Sequence, residues 1–210
     1  MYKFDKVMME TALIWAKQSY CKRRQVGAVL AKDDRILATG FNGTLTGTKN
    51  KCENEYYECP NCLKTSNDIN QLFSLKVEKS EPCHLKNIYS AKCFYCGGIV
   101  HKKEVKTSED PNEQLFSTIG RNKFDWIEPK MVTNDFTVHA EQNVITFCAK
   151  NGISTEETTL YVTTSPCKQC AKLIASSGII RVVYYDKYKD TSGIDFLNEI
   201  NISCEQYIEE

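Results

Sequence analysis

The sequence carries no excess charge of either sign: 27 Lys and Arg stand against 27 Asp and Glu. That balance gives no ground to expect a broad basic face for DNA or RNA, whose phosphate backbone selects clustered Lys and Arg. Long apolar runs are also lacking. None reaches the roughly 18 residues that a membrane-spanning helix needs. The N-terminal segment MYKFDKVMMETALIWAKQ places Asp5, Lys6 and Glu10 where a secretory signal would be apolar. Gly and Pro are few, 10 and 5 of 210 residues, and hydrophobic residues make up 41%. Such a composition excludes a disordered chain. It leaves a globular protein of one large domain, or of one domain carrying a sizeable insertion.

Cysteine, by contrast, is abundant, with 11 in 210 residues. Without a secretory segment disulfides are not expected, because the cytosol keeps thiols reduced. Cysteines that recur in close pairs then point to metal.

The apolar pattern divides the chain. Residues 3 to about 19 have Phe4, Met8, Ala12 and Trp15 at helical spacing with no breaker. Two apolar runs, 26–31 and 35–41, joined by Lys32-Asp33-Asp34, read as a hairpin whose first strand is buried on both faces. Residues 44 to roughly 135 hold more than half of the cysteines and polar stretches such as HKKEVKTSEDPNEQ. They read as a loop-rich insertion held by something other than its own core. Regular periodicity returns in 137–152, a helix with Ala140, Val144, Phe147 and Cys148 on one side and an Asn151-Gly152 C-cap. A strand at 158–164 follows, then a helix over 165–178 with Ser165 as N-cap and Pro166 in its first turn. A strand at 179–185, a short helix at 191–200 and a last strand at 202–208 complete the order. This alternation implies a partly parallel sheet with helices on both faces.

Two motifs stand at successive helix starts: His139-Ala140-Glu141 and Pro166-Cys167-Lys168-Gln169-Cys170. Cys167 and Cys170, at i and i+3, share a helix face. There the free N–H groups and the helix dipole favour thiolate. One imidazole and two thiolates make a three-ligand zinc site with its fourth position open for water, the mark of a catalytic rather than a structural zinc. Glu141, two residues from the histidine, is placed to carry protons without coordinating.

The H-x-E and P-C-x-x-C pair resembles the signature of the zinc-dependent deaminases of cytosine and adenine. The likeness extends through Cys21-Lys22-Arg23-Arg24-Gln25-Val26-Gly27-Ala28-Val29, Thr39-Gly40-Phe41-Asn42-Gly43-Thr44, Asn50-Lys51-Cys52-Glu53, HAEQNVI at 139–145 and TTSPCKQCAKLI at 163–174. Across 1–53 and 137–208 the chain is similar to the deoxycytidylate (dCMP) deaminases, whose phage members also carry an insertion ahead of the HAE motif. The resemblance implies a single deaminase domain over 1–210 with a cysteine-rich insertion at 54–136. Its fold is a three-layer α/β/α cytidine-deaminase-like one, with a central mixed five-stranded sheet and a zinc-stabilised insertion. The implied reaction is hydrolysis of dCMP to dUMP and ammonia, supplying dUMP for thymidylate synthesis. His139, Cys167 and Cys170 hold the catalytic Zn2+ and Glu141 moves the protons. By the same resemblance the Ala140 N–H and the Ser165 carbonyl would contact the base, Asn42 the sugar and Arg24 the phosphate. The resemblance further implies activation by dCTP with Mg2+, inhibition by dTTP, a hexamer, and location in the cytoplasm, or in a host's cytoplasm for a viral chain. No membrane or nucleic-acid partner is expected. A bifunctional dCMP/dCTP deaminase and a nucleic-acid-editing deaminase are the alternatives.

Within the insertion, Cys59-Pro-Asn-Cys62 and Cys93-Phe-Tyr-Cys96-Gly-Gly form two C-x-x-C pairs. Four thiolates would close a zinc's coordination shell, so a second Zn2+ held there would be structural. Cys83-His84 could substitute for one ligand, and His101 more remotely. Cys21 and Cys52 could meet each other or a further metal, although buried thiols are the simpler expectation. Cys148 and Cys204 read as core.

Overall fold

The computed structural model describes residues 2–79, 87–101, 127 and 129–209. In chain order the described elements are α1 (Asp5–Ala16), β1 (Gly27–Lys32), β2 (Arg35–Phe41), β3 (Gly43–Thr44), β4 (Glu53–Glu58), β5 (Thr65–Ser66), α2 (Ile69–Leu72) and β6 (Phe73–Lys79). They continue with β7 (Asn87–Cys93), β8 (Ile99–His101), β9 (Lys130–Thr133), β10 (Thr137–Val138), α3 (Ala140–Asn151), β11 (Thr159–Thr164), α4 (Lys168–Ser176), β12 (Arg181–Asp186), α5 (Ser192–Glu199) and β13 (Ser203–Gln206). The chain separates into two compact units, Met1–Glu53 with Thr133–Glu210, and Asn54–Val132.

The first unit is built on a five-stranded sheet in the order β13-β12-β11-β1-β2. It is mixed: β1 runs antiparallel to β2 and β11, whereas β11, β12 and β13 are parallel. Strand alternation sorts the side chains onto two faces. Val29, Ala31, Tyr161 and Val183 pack with Met8, Met9 and Ala12 of α1. Ala28, Leu30, Leu160, Val162 and Val182 point the other way and pack with Val144 and Cys148 of α3, Ala171 and Ile174 of α4, and Ile194 and Leu197 of α5. The result is the expected α/β/α sandwich. At Gly27 a Cβ would stand 2.0 Å from the Ala12 carbonyl oxygen, so only glycine lets α1 lie this close to β1.

Most element boundaries fall within three residues of the sequence expectation. The Lys32-Asp33-Asp34 hairpin turn is made with Asp33 and Asp34 at φ 49° and 61°, and α3 ends on Gly152 at φ 66°. Three details differ. Phe147 is 48% exposed rather than on the buried side of α3. The helix after β11 starts at Lys168 with Cys167 as N-cap, so Ser165 caps nothing. Asp5, in sequence merely a charge against a signal peptide, is fully buried. Arg181 grips both its carboxylate oxygens at 2.8 Å, and the Tyr161 hydroxyl donates at 2.7 Å. Burial alone would raise the Asp5 pKa. The bonds from Arg181, Tyr161 and the Tyr2 N–H outweigh it and hold the carboxyl below its ordinary value.

The second unit corrects the expectation of a coreless insertion. Strands β5-β4-β9 and β6-β7-β8 form two three-stranded sheets. Ile69, Leu72, Phe73 and Ala91 gather with Cys59 and Cys93 in a small apolar cluster. Cys21 and Cys52 are not the simple buried thiols preferred from sequence but meet each other, the alternative left open there: they form a disulfide with their Cα atoms 5.1 Å apart. The chain returns after β3 to lie beside the loop that follows α1, where Glu53 accepts from the Lys22 and Arg23 N–H groups. That return path brings together thiols separated by 31 residues. Among the described residues no helix is long and apolar enough to cross a membrane.

Candidate active site and cysteine clusters

The C-terminal end of β11 leads through Ser165 and Pro166 into α4, and β10 leads into α3. Each helix therefore begins at its motif, with His139 and Cys167 as the N-cap residues. Gln142 Oε1 accepts from the His139 N–H at 2.9 Å, and Asn143 Nδ2 donates to the Phe41 carbonyl at 2.6 Å, tying the start of α3 to β2. On the other side, a Cβ at Gly193 would stand 2.0 Å from the Pro166 carbonyl oxygen, so α5 lies directly against the loop that carries Cys167.

These constraints converge three ligand atoms. His139 Nδ1 is 3.7 Å from Cys167 Sγ and 3.4 Å from Cys170 Sγ. Bonds of about 2.05 Å to nitrogen and about 2.3 Å to sulfur, at tetrahedral angles, give an N···S edge of about 3.5 Å. The donor set and its spacing thus fit a zinc ion. Exposure falls from His139 (exposed) through Cys167 (intermediate) to Cys170 (buried), so the cluster opens on its histidine side. The Cys170 thiol, then His139, bond to the Cys167 sulfur and pull its pKa down to about 3. The same contact with Cys167, together with burial, pushes Cys170 up. Contact with the Cys167 sulfur raises His139. Glu141 is 4% exposed. Burial pushes its pKa up.

The remaining candidates line the same end of the sheet or its neighbouring loops. Ala140 is fully buried at the start of α3. Ser165 is 4% exposed; its N–H donates to the Asp186 carbonyl and its Oγ accepts from the Tyr188 N–H, both at 2.9 Å. Arg24 Nη1 donates to Thr164 Oγ1 at 3.2 Å. Asn42 is largely spent on the backbone of the Arg24 loop. Its Oδ1 accepts from the Val26 N–H at 2.8 Å and its Nδ2 donates to the Arg24 carbonyl at 2.9 Å. A cavity of about 550 Å³ lies at the opposite end of the sheet, lined among others by Tyr2, Lys32, Thr159 and Arg181, and contains none of these residues.

In the second unit Cys59, Cys62, Cys93 and Cys96 converge as the spacing predicts. The Cys59–Cys96 and Cys62–Cys93 sulfurs are each 3.8 Å apart, matching an S···S edge of about 3.75 Å for thiolates about 2.3 Å from a tetrahedral zinc. The Gly98 N–H donates to Cys96 Sγ at 3.4 Å, a turn made possible by Gly97 at φ 70°. At Cys93, backbone N–H groups of Cys96 and Tyr95 outweigh burial and draw the thiol down to about 7. Of the alternative ligands, Cys83 and His84 lie outside the described residues, as does the side chain of His101. Cys148 is fully buried, and Cys204 packs against the main core.

The span that holds both motifs also matches known proteins. Residues 2–186 match the family model described as the cytidine and deoxycytidylate deaminase zinc-binding region. The chain is 31% identical over 188 residues to the deoxycytidylate deaminase of Enterobacteria phage T4, covering 87% of this chain and 79% of that one. It is 30% identical over 215 residues to that of Enterobacteria phage T2, covering 96% and 95%. Its fold superposes with a TM-score of 0.59 on the dCMP deaminase of cyanophage S-TIM5 solved in complex with dCMP and dUMP, at 26% identity and 99% coverage of both chains.

Proposed function

Because this chain belongs to the cytidine and deoxycytidylate deaminase family, we propose that it hydrolyses dCMP to dUMP and ammonia, with His139, Cys167 and Cys170 holding a zinc ion and Glu141 moving the protons. One observation carries this reading: three metal-ligating atoms meet at two helix starts with a buried carboxylate directly beside them. A zinc bound there supplies Lewis acidity and a water ionised near neutral pH. Glu141 takes a proton from the attacking water and delivers it to N3 of the cytosine ring. It then passes the second proton to the amine at C4, so that one water is consumed, C4 gains a carbonyl oxygen and ammonia leaves. The Ala140 N–H holds the base O2 and the Ser165 carbonyl accepts from the exocyclic amine. Asn42, whose second Nδ2 hydrogen has no partner among the described residues, meets a sugar hydroxyl while it braces the Arg24 loop. Arg24 meets the phosphate.

The test is ammonia release from cytidine, dCMP, CMP, dCTP and cytosine in DNA. Highest kcat/KM on dCMP is expected, and higher kcat/KM on oligonucleotides would overturn the reading. A Glu141→Gln variant is expected to keep its zinc and to lose turnover by about 10²–10⁴-fold or more, the usual worth of a general acid–base group.

The same reading extends to the second unit, where Cys59, Cys62, Cys93 and Cys96 close a structural zinc. Two zinc ions per chain by metal analysis are expected, and one would remove the four-cysteine site. The family resemblance also supports a hexamer, activation by dCTP with Mg2+, inhibition by dTTP, a place in dUMP supply for thymidylate synthesis, and cytoplasmic location. Sedimentation with and without dCTP, paired with initial rates, tests the assembly and its effectors together.

A further inference from the structure

Arg24 is an exposed arginine held from two sides. Besides its bond to Thr164 Oγ1 at 3.2 Å, its guanidinium carbon lies 5.4 Å from the centre of the Tyr188 ring. Among the described residues no carboxylate pairs with it. Its backbone is pinned as well, through the Asn42 Nδ2 bond to its carbonyl. Tyr188 is fixed in turn: its N–H donates to Ser165 Oγ, and the Ser165 N–H donates to the Asp186 carbonyl, both at 2.9 Å. Ser165 stands two residues before Cys167. The ring, the guanidinium and the metal-ligand loop are thus linked through consecutive short contacts.

The kind of contact matters. A carboxylate partner would neutralise the guanidinium and occupy its N–H fork. An aromatic face attracts the cation through the ring quadrupole and leaves the edge N–H groups free. A guanidinium so held is prepared for bidentate binding of a phosphate. We propose that Tyr188 is a positioning residue for substrate recognition: its ring presents the Arg24 guanidinium to the 5′-phosphate of the nucleotide. Tyr188 then acts through Arg24 and not on the chemistry at C4. This rests on the reading of Arg24 as the phosphate contact.

Steady-state kinetics of the zinc-loaded chain on dCMP and on deoxycytidine test it. Tyr188→Leu keeps apolar bulk and removes the ring face. It is expected to raise KM for dCMP by about two- to fivefold, the range of a surface cation–π contact. The accompanying change in kcat should be smaller than that in KM, and kcat/KM for deoxycytidine should not follow. Tyr188→Phe is expected to restore the dCMP value. In an Arg24→Ala background Tyr188→Leu should add no further rise, since the two act as one unit. An unchanged KM in Tyr188→Leu, an equal rise in the Arg24→Ala background, or a fall confined to kcat would each overturn the proposal. If Arg24→Ala itself leaves the preference for dCMP over deoxycytidine intact, the phosphate reading fails and the proposal with it, whereas failure of Tyr188→Leu alone leaves that reading standing. Should Tyr188→Leu lose zinc through misfolding, Tyr188→Met carries the same comparison.

Discussion

The two cysteine clusters place similar metal-ligating side chains in opposite settings. His139, Cys167 and Cys170 sit at the starts of two helices whose bodies are packed into a core of sixteen buried residues. Cys59, Cys62 and Cys96 sit in turns and loops and Cys93 ends β7, over a cluster of six buried residues that includes Cys59 and Cys93. In the first setting the scaffold holds the three side chains, so a metal bound there would be free for chemistry. In the second the cysteines are a large share of the core, so with zinc bound as proposed, metal binding and folding would be one event. Ligand number agrees: three leave a coordination position open, whereas four close it.

The sharpest way to break this contrast is to remove the four-thiolate cluster. With two zinc ions bound as proposed, a Cys62→Ser, Cys93→Ser chain should lose one of them. Structural zinc contributes on the order of 10 kcal/mol to small metal-bound folds, so residues 54–132 should become sensitive to limited proteolysis. The 2–53 and 133–209 unit should keep its amide exchange protection. Retention of two zinc ions would dissolve the contrast. His139→Ala, by comparison, should cost one zinc and all turnover while the melting transition of the first unit persists.

The next effect is smaller and tests whether the first unit stands without metal. Asp5→Asn breaks the buried pair with Arg181 and should destabilise by about 3–5 kcal/mol, as loss of one partner of a buried ion pair does. Because the folded-state pKa of Asp5 is depressed, its contribution is present above the ordinary carboxylate range and is lost as pH falls below that range. Thermal melts of wild type and Asp5→Asn should therefore converge toward low pH. Parallel curves would show that this carboxylate does not set the acid limb. The smallest effect is on the open cluster itself. Gly193→Ala drives a methyl into the Pro166 carbonyl and should cost about 1–3 kcal/mol, as overpacking does. Competition with a chelator should show weaker zinc binding at one of the two sites only; equal binding at both would uncouple α5 from the Cys167 loop.

How much of this was legible in the sequence follows from the range of the interactions. The helix ending at Gly152, the Asp33-Asp34 turn and both C-x-x-C pairs are local signals, and the structure carries each where its spacing placed it. Ser165 reads as an N-cap because a serine before proline looks the same whether its hydroxyl turns to its own helix or, as here, to the Tyr188 N–H 23 residues away. Phe147 fits an apolar helical stripe, and only the position of neighbouring elements leaves it exposed. Asp5 has no local mark of burial, because its partner Arg181 lies 176 residues away in β12. The Cys21–Cys52 pair is of the same kind: its geometry depends on the path by which the chain comes back after β3.

That path has one more outcome. The Cys52 carbonyl accepts from both the Asn134 N–H at 2.7 Å and the Thr137 hydroxyl at 2.9 Å, and β4 and β9 are neighbours in one sheet. The points at which the polypeptide leaves the deaminase framework and rejoins it are thus fastened to each other. Closing a loop between two anchored points costs only about 0.6 kcal/mol more for each doubling of its length. The segment between them is therefore free to lengthen, shorten or be exchanged with little penalty to the catalytic framework, a seam at which one enzyme can acquire attachments without rebuilding its centre.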